Sequence, residues 1–184
     1  MEKSVILAGF GGQGVILAGK ILAQAGMDHG LEVTWFPSYG PEMRGGTANC
    51  TVVLSDEPVG SPLADDPTAL IAMNSPSLDK FESTVANGGT IVLNSSLIER
   101  PVMRADVMVV PIPMNEMAAK VGSALAINMV ALGAYIKATD VAPLATVKKA
   151  MKRMLEEDGK GKFVPTNEQA LQEGYDAVQG QGIE

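Results

Sequence analysis

The apolar positions of this chain change period several times, and each change marks an element. Val5-Ile6-Leu7-Ala8 is an unbroken apolar run stopped by glycines, the pattern of a central strand buried on both faces of a parallel sheet. From Gln13 onward Val15, Leu17, Ala18, Ile21, Leu22 and Ala25 recur at helical spacing until Gly26, His29 and Gly30, which predicts a helix over about residues 13 to 29. Glu32 to Phe36 is β-branched and aromatic and is cut off by Pro37, which predicts a second strand. Strand, glycine-rich turn, helix, strand is one βαβ unit.

Loop chemistry follows at Pro37-Ser38-Tyr39-Gly40-Pro41-Glu42-Met43-Arg44-Gly45-Gly46. Thr47 to Leu54 then reads as a strand in a hairpin or at a sheet edge, closed by Ser55-Asp56-Glu57-Pro58. Ala69 to Met73 is a short apolar strand, and Asn74 with Pro76 predicts an N-capped helix running to Ala86. Thr90 to Leu93 and Ala105 to Val110 are further strands, the latter closed by Pro111 and Pro113. Helices are predicted from Asn115 to Ala138 and from Pro143 onward, the second with a solvated basic face of Lys148, Lys149, Lys152 and Arg153. Asp158 to Lys162 reads as a flexible linker, and Thr166 with Gln169 as a capping box for a last helix to Val178. The whole predicts one α/β domain over residues 1–184, a mostly parallel sheet with helices on both faces.

Composition narrows the chemistry. With 14 basic against 21 acidic side chains and a net charge of −7, the surface repels phosphate backbones, so nucleic acid is not an expected partner. The single Cys50 cannot hold an iron-sulfur cluster or a Cys-rich zinc site, so any redox centre is expected on another chain. Val121 to Ile136 is the longest apolar-biased stretch, but it is interrupted by Gly122, Ser123, Asn128 and Gly133 and falls short of a membrane span. No signal-peptide pattern is present, and a cytoplasmic location is expected.

Two motifs stand out. Gly9-Phe10-Gly11-Gly12-Gln13-Gly14 has G-x-G-x-x-G spacing between a predicted strand and a predicted helix, the context in which such glycines allow a tight turn and expose N–H groups to an anion. A dinucleotide site also wants an acid at the end of the second strand, where Trp35-Phe36-Pro37 offers none. The motif therefore reads equally as an anion-binding turn and as a purely structural one. In the second motif Tyr39, Glu42, Arg44, Gly45 and Gly46 sit in a loop expected near the ligand edge of the sheet, where Arg44 could clamp a carboxylate or phosphate. The same loop reads as a subunit interface or as a surface ion pair. The lone His29 reads as a helix cap, Cys50 as a small core residue, and Asn128 as a buried polar group bonded across the core.

Gly9 to Val15 with Ala18-Gly19-Lys20, then Tyr39 to Gly46, then Asn128-Met129-Val130-Ala131-Leu132-Gly133, together resemble the gamma subunit of 2-oxoacid:ferredoxin oxidoreductases. The likeness runs nearly to the chain end, through Asn167 to Tyr175. It implies an accessory Rossmann-like module of a multi-subunit, anaerobic enzyme that decarboxylates a 2-oxoacid to an acyl-CoA and passes electrons to ferredoxin. The resemblance implies alpha, beta and delta (ferredoxin-like) partner subunits. It also implies thiamine diphosphate, Mg and Fe-S clusters held outside this chain, and coenzyme A approaching the Gly9, Gly11, Gly12, Gln13, Gly14 turn. It assigns the chain no catalytic residue and no metal, and favours 2-oxoglutarate or a branched-chain oxoacid over pyruvate. A stand-alone nucleotide-binding oxidoreductase and a purely structural assembly module are the competing readings.

Overall fold

The computed structural model describes residues 1–39 and 47–178, with the backbone alone at Tyr39. Elements run β1 (Glu2–Phe10), α1 (Val15–Asp28), β2 (Glu32–Tyr39), β3 (Thr47–Ser55), β4 (Ala69–Ala72), α2 (Ser75–Phe81), β5 (Thr90–Asn94), β6 (Met108–Ile112), α3 (Met114–Lys120), α4 (Ile127–Thr139), α5 (Leu144–Glu157) and α6 (Val164–Ala177). The six strands form one sheet in the order β2-β3-β1-β4-β5-β6. β1, β4, β5 and β6 are mutually parallel, while β3 runs antiparallel to both β1 and β2. The mostly parallel α/β expectation holds.

The first unit differs from a simple βαβ pair. β2 runs parallel to β1, but β3 is inserted between them, so β3 pairs antiparallel with the preceding β2, as the hairpin reading expected, and is an interior strand rather than an edge. β2 also does not stop at Pro37: it continues to Tyr39, with Pro37 opposite Cys50. β6 likewise runs through Pro111, opposite Leu93. Both prolines lie on the outermost strands, where the sheet tolerates a residue without an N–H.

Alternation along the strands divides the core. Val5, Leu7, Cys50, Val52, Leu54 and Ile71 face α1 and the α3 to α6 helices, whereas Ile6, Ala8, Leu70, Ile91 and Leu93 face the smaller layer of α2, Val85 and Ile98. Helices therefore cover both faces, very unequally. α4 is buried on every side from Ile127 to Ile136, as its all-round apolar sequence requires. α1 comes close to β3 because Gly19 and Gly26 carry no side chain: a Cβ there would run into Cys50 and Leu54.

Several boundaries moved for identifiable reasons. The stretch from 115 to 138 is two helices, because Gly122 at φ +85° turns the chain, with Gly122 and Ser123 N–H donating to the Ala119 and Ala118 carbonyls. α2 ends at Phe81 and tightens into a 3-10 turn over Glu82–Thr84. Asp158 to Lys162 is an ordered turn that leads into the 3-10 segment Gly161–Phe163. α6 starts at Val164 with Pro165 in its first turn and no side-chain cap, so Thr166 lies inside the helix and the capping box does not form. The basic face of α5 is partly engaged: Arg153 bonds Asp28 of α1, and Lys148 donates to Gln172 of α6 at 2.7 Å.

Candidate functional site

The carboxyl ends of β1, β4 and β5 lie side by side; β1 and β4 each lead into a helix, α1 and α2, whereas β5 leads into a turn. In open α/β sheets this edge is where ligands bind. At the end of β1 the glycine turn is closed by the Gln13 N–H donating to the Phe10 carbonyl at 3.1 Å. Gly12 and Gly14 have φ of +95° and +73°, a region that side-chain-bearing residues rarely adopt. A Cβ on Gly12 would meet open space, whereas one on Gly14 would strike the side chain of Asn128.

Gly9 answers to a different constraint. Its φ is not in the left-handed region, but a Cβ there would lie 2.6 Å from Gln13 Oε1, 2.9 Å from Val15 and 3.1 Å from Met73. The first glycine of the motif thus makes room for the folded-back Gln13 carboxamide and for close strand-to-helix packing. Gln13 Oε1 accepts from the Phe10 N–H at 2.7 Å and from Asn74 Nδ2 at 3.2 Å. Gln13 Nε2 donates to the Met73 carbonyl at 3.4 Å.

A set of buried asparagines continues from there. Asn74, 1% exposed, caps α2 by accepting from the Ser77 N–H at 2.9 Å. Asn94, fully buried at the end of β5, donates to the Met73 carbonyl at 3.2 Å and to Asn115 Oδ1 at 2.8 Å. Its Oδ1 accepts from the Ser96 and Met114 N–H groups, both at 3.2 Å. Asn128 of α4 donates to the Gly14 carbonyl at 3.1 Å, so the peptide that opens α1 is held from across the core. One carboxamide system therefore ties the glycine turn to the ends of β4 and β5 and to α2 and α3.

Of the sequence-predicted site residues, Gly9, Gly11, Gly12, Gln13 and Gly14 come together in this turn. Glu42, Arg44, Gly45 and Gly46 lie outside the described residues. Tyr39 closes β2 opposite Ala48, and Ala48 is opposite Gly9, so the strand ends flanking residues 40–46 belong to the same edge as the turn. Sequence reasoning took Asn74 for a helix cap only and missed Asn94. The available signal was the repeat of an apolar run ending in Asn, Met73-Asn74 and Leu93-Asn94, at two neighbouring strand ends.

Among the described residues the titratable groups at this edge give no acid-base pair. Cys50 is buried under α1, and burial pushes its thiol up to about 12, only partly opposed by the neighbouring Trp35 indole. His29 is the exposed C-cap of α1. Glu116, near the edge, bonds the Ser96 hydroxyl, which with its own backbone N–H holds the carboxyl below its ordinary range. Among the described residues no three His, Cys, Asp or Glu side chains are grouped to hold a metal ion, and no helix is long and apolar enough to cross a membrane. The arrangement can present N–H and carboxamide donors to a ligand or a neighbour.

An open α/β sheet with a glycine turn and a carboxamide cluster on its carboxyl edge places the chain in the doubly wound class. The chain belongs to the Pyruvate ferredoxin/flavodoxin oxidoreductase family, which it matches over residues 4–177. It is 48% identical over 132 residues to the ketoisovalerate oxidoreductase subunit VorA of Methanothermobacter thermautotrophicus, an alignment covering 72% of this chain and 27% of that protein. The chain thus spans about a quarter of that relative's length. Among solved structures it is similar to the gamma subunit of the keto/oxoacid ferredoxin oxidoreductase from Geobacter sulfurreducens. The TM-score is 0.83 at 29% identity, covering 97% of this chain and 99% of that one. It also superimposes, at TM-score 0.89 and 25% identity over all of its length and 32% of the other chain, on a 2-oxoglutarate:ferredoxin oxidoreductase from Magnetococcus marinus with 2-oxoglutarate, coenzyme A and succinyl-CoA bound.

Proposed function

We propose that this chain is the gamma unit of a 2-oxoacid:ferredoxin oxidoreductase. The assembled enzyme oxidatively decarboxylates a 2-oxoacid, transfers the acyl group to coenzyme A and passes electrons singly to ferredoxin. The observation that carries this reading is full-length similarity to a solved gamma subunit, joined to 48% identity with a ketoisovalerate oxidoreductase subunit. The second favours a branched-chain oxoacid, with 2-oxoglutarate next and pyruvate behind both.

In this reading the chain is an accessory module acting in the cytoplasm with alpha, beta and delta-type partners. Thiamine diphosphate with Mg supplies the electron sink for decarboxylation, and Fe-S clusters carry the electrons. Fe-S clusters do not fit here, because Cys50 is the only cysteine and its thiol is buried and hard to ionise; among the described residues no three His, Cys, Asp or Glu side chains are grouped to hold the Mg. Coenzyme A fits better. The Gly9, Gly11, Gly12, Gln13, Gly14 turn offers N–H donors and open space at Gly12, a setting suited to phosphate. The strand ends at Tyr39 and Thr47 that flank residues 40–46 belong to the same edge, which supports reading Glu42 and Arg44 as interface or site wall.

The test is anaerobic co-purification of the tagged chain, followed by dye reduction dependent on both oxoacid and coenzyme A, across a panel of oxoacids. Partners with thiamine and cluster-binding sequences, together with activity strongest on 2-ketoisovalerate, are expected. A solitary chain that binds NAD or FAD saturably would replace this reading with a stand-alone nucleotide-binding oxidoreductase.

A further inference from the structure

We infer that Gln13 is an internal latch of the glycine turn, a carboxamide whose oxygen holds the position of a ligand's anionic oxygen and must leave for that ligand to bind. The inference rests on the proposed coenzyme-binding role of the turn and specifies what that turn recognises. Two donors converge on Gln13 Oε1: the Phe10 N–H at 2.7 Å and Asn74 Nδ2 at 3.2 Å. Asn74 is almost wholly buried and is fixed at its other end by accepting from the Ser77 N–H. The pair is therefore a preformed oxygen-binding fork, and the oxygen in it is supplied by the chain itself.

The latch is built to exchange. Gln13 is half-buried beside the exposed Gly11 and Gly12, and its remaining tie, Nε2 to the Met73 carbonyl, is long at 3.4 Å. Gly9 leaves the space into which the carboxamide folds, since any Cβ there would crowd Oε1. Both partners of Oε1 are donors, so the displacing atom is an acceptor. A phosphate or pyrophosphate oxygen makes charge-assisted bonds that outcompete a neutral carboxamide. The Gln13 side chain then swings toward solvent. A latch closed most of the time lowers apparent affinity by the fraction open, on the order of fivefold to tenfold.

Inorganic pyrophosphate is the probe, titrated calorimetrically into the full chain carrying Gln13, Gln13→Ala or Gln13→Glu, with thermal melting as the check on folding. Removing the latch in Gln13→Ala is expected to tighten pyrophosphate by about fivefold. Gln13→Glu keeps the oxygen, adds charge, and is expected to bind more weakly than the parent. In the parent, the Gln13 side-chain amide proton resonances are expected to move toward solvent-exposed values on titration. A folded Gln13→Ala chain that binds no tighter than the parent, or resonances that stay in place as pyrophosphate binds, overturns the latch. So does absence of binding to all three. Oxoacid-dependent turnover of the co-purified complex is read separately: turnover without the Gln13 effects removes the latch and keeps the proposed function, and the Gln13 effects without turnover do the reverse.

Discussion

Gly133 of α4 and Gly174 of α6 meet backbone to backbone at the helix crossing: a Cβ on Gly133 would collide with the Leu171 carbonyl, and one on Gly174 with the Val130 carbonyl. Neither obstacle is a movable side chain, so the helices must separate to admit a methyl group. Gly133→Ala or Gly174→Ala is expected to cost about 3 kcal/mol, the upper part of the range for overpacking. Urea unfolding measures it, and a loss below about 0.5 kcal/mol, the level of an ordinary surface change, would mean the helices are not in this contact.

Asn94 is a point where one side chain holds several elements. Asn94→Ala strands the buried Met114 N–H and removes the donors to Met73 and Asn115. An unsatisfied buried donor costs about 1–3 kcal/mol, so a loss of about 3 kcal/mol is expected for the cluster. Hydrogen exchange locates the effect: the Met114 and Ser96 amides should lose protection well before those of β1.

The parallel core was legible because Val5 to Ala8, Ala69 to Met73 and Thr90 to Leu93 are continuous apolar runs, which only doubly covered strands allow. The insertion of β3 between β1 and β2 was not legible, since alternation reports which face is buried and says nothing of strand order. It changes the argument about an acid after β2. That strand is two places from β1, about 10 Å away at ordinary strand spacing, so the missing acid at Trp35-Phe36-Pro37 never bore on a ligand at the turn in the usual way. Pro37 and Pro111 misled because proline was read as a strand end when it marked sheet edges. The glycine turn was found from spacing, but the carboxamides around it were not, because Asn74 and Asn94 meet only after the strands are laid side by side.

The ion pair between Arg153 and Asp28 joins α5 to α1, with Nη2 at 3.0 and 2.8 Å from the two carboxylate oxygens. Burial tends to raise the Asp28 carboxyl, but the hydrogen bonds from Arg153 and Gln24 and the nearby positive charges outweigh it, and its pKa falls below the ordinary 3.8. A lowered carboxyl stabilises the fold above its unfolded pKa, and that contribution is lost as pH falls through the folded one. Both partners are partly exposed, which limits the effect to about 0.5–1 kcal/mol. Arg153→Ala should lower stability by that amount at pH 7, and the difference should fade in acid as pH falls through the lowered Asp28 pKa. An undiminished difference there would assign the effect to packing of the arginine stem.

Cys50 should be chemically silent while the protein is folded. Its side chain lies under α1 at the position that the absent Cβ of Gly19 leaves open, with Sγ 3.7 Å from the Val15 carbonyl. Only thiolate attacks an alkylating reagent. With the pKa pushed up to about 12, the thiolate fraction at pH 8 is about one in ten thousand, against roughly a quarter for a free thiol. As the chain has one cysteine, whole-protein mass spectrometry reads the reaction without ambiguity. Iodoacetamide at pH 8 should leave the native chain unmodified over a period in which urea-unfolded chain is fully labelled. Gly19→Ala supplies the cross-check, because its added methyl crowds Cys50 and should loosen α1 from β3, so labelling of that variant should be faster than that of the parent. Equal and rapid labelling of both would place the thiol at the surface and remove the close α1 to β3 contact.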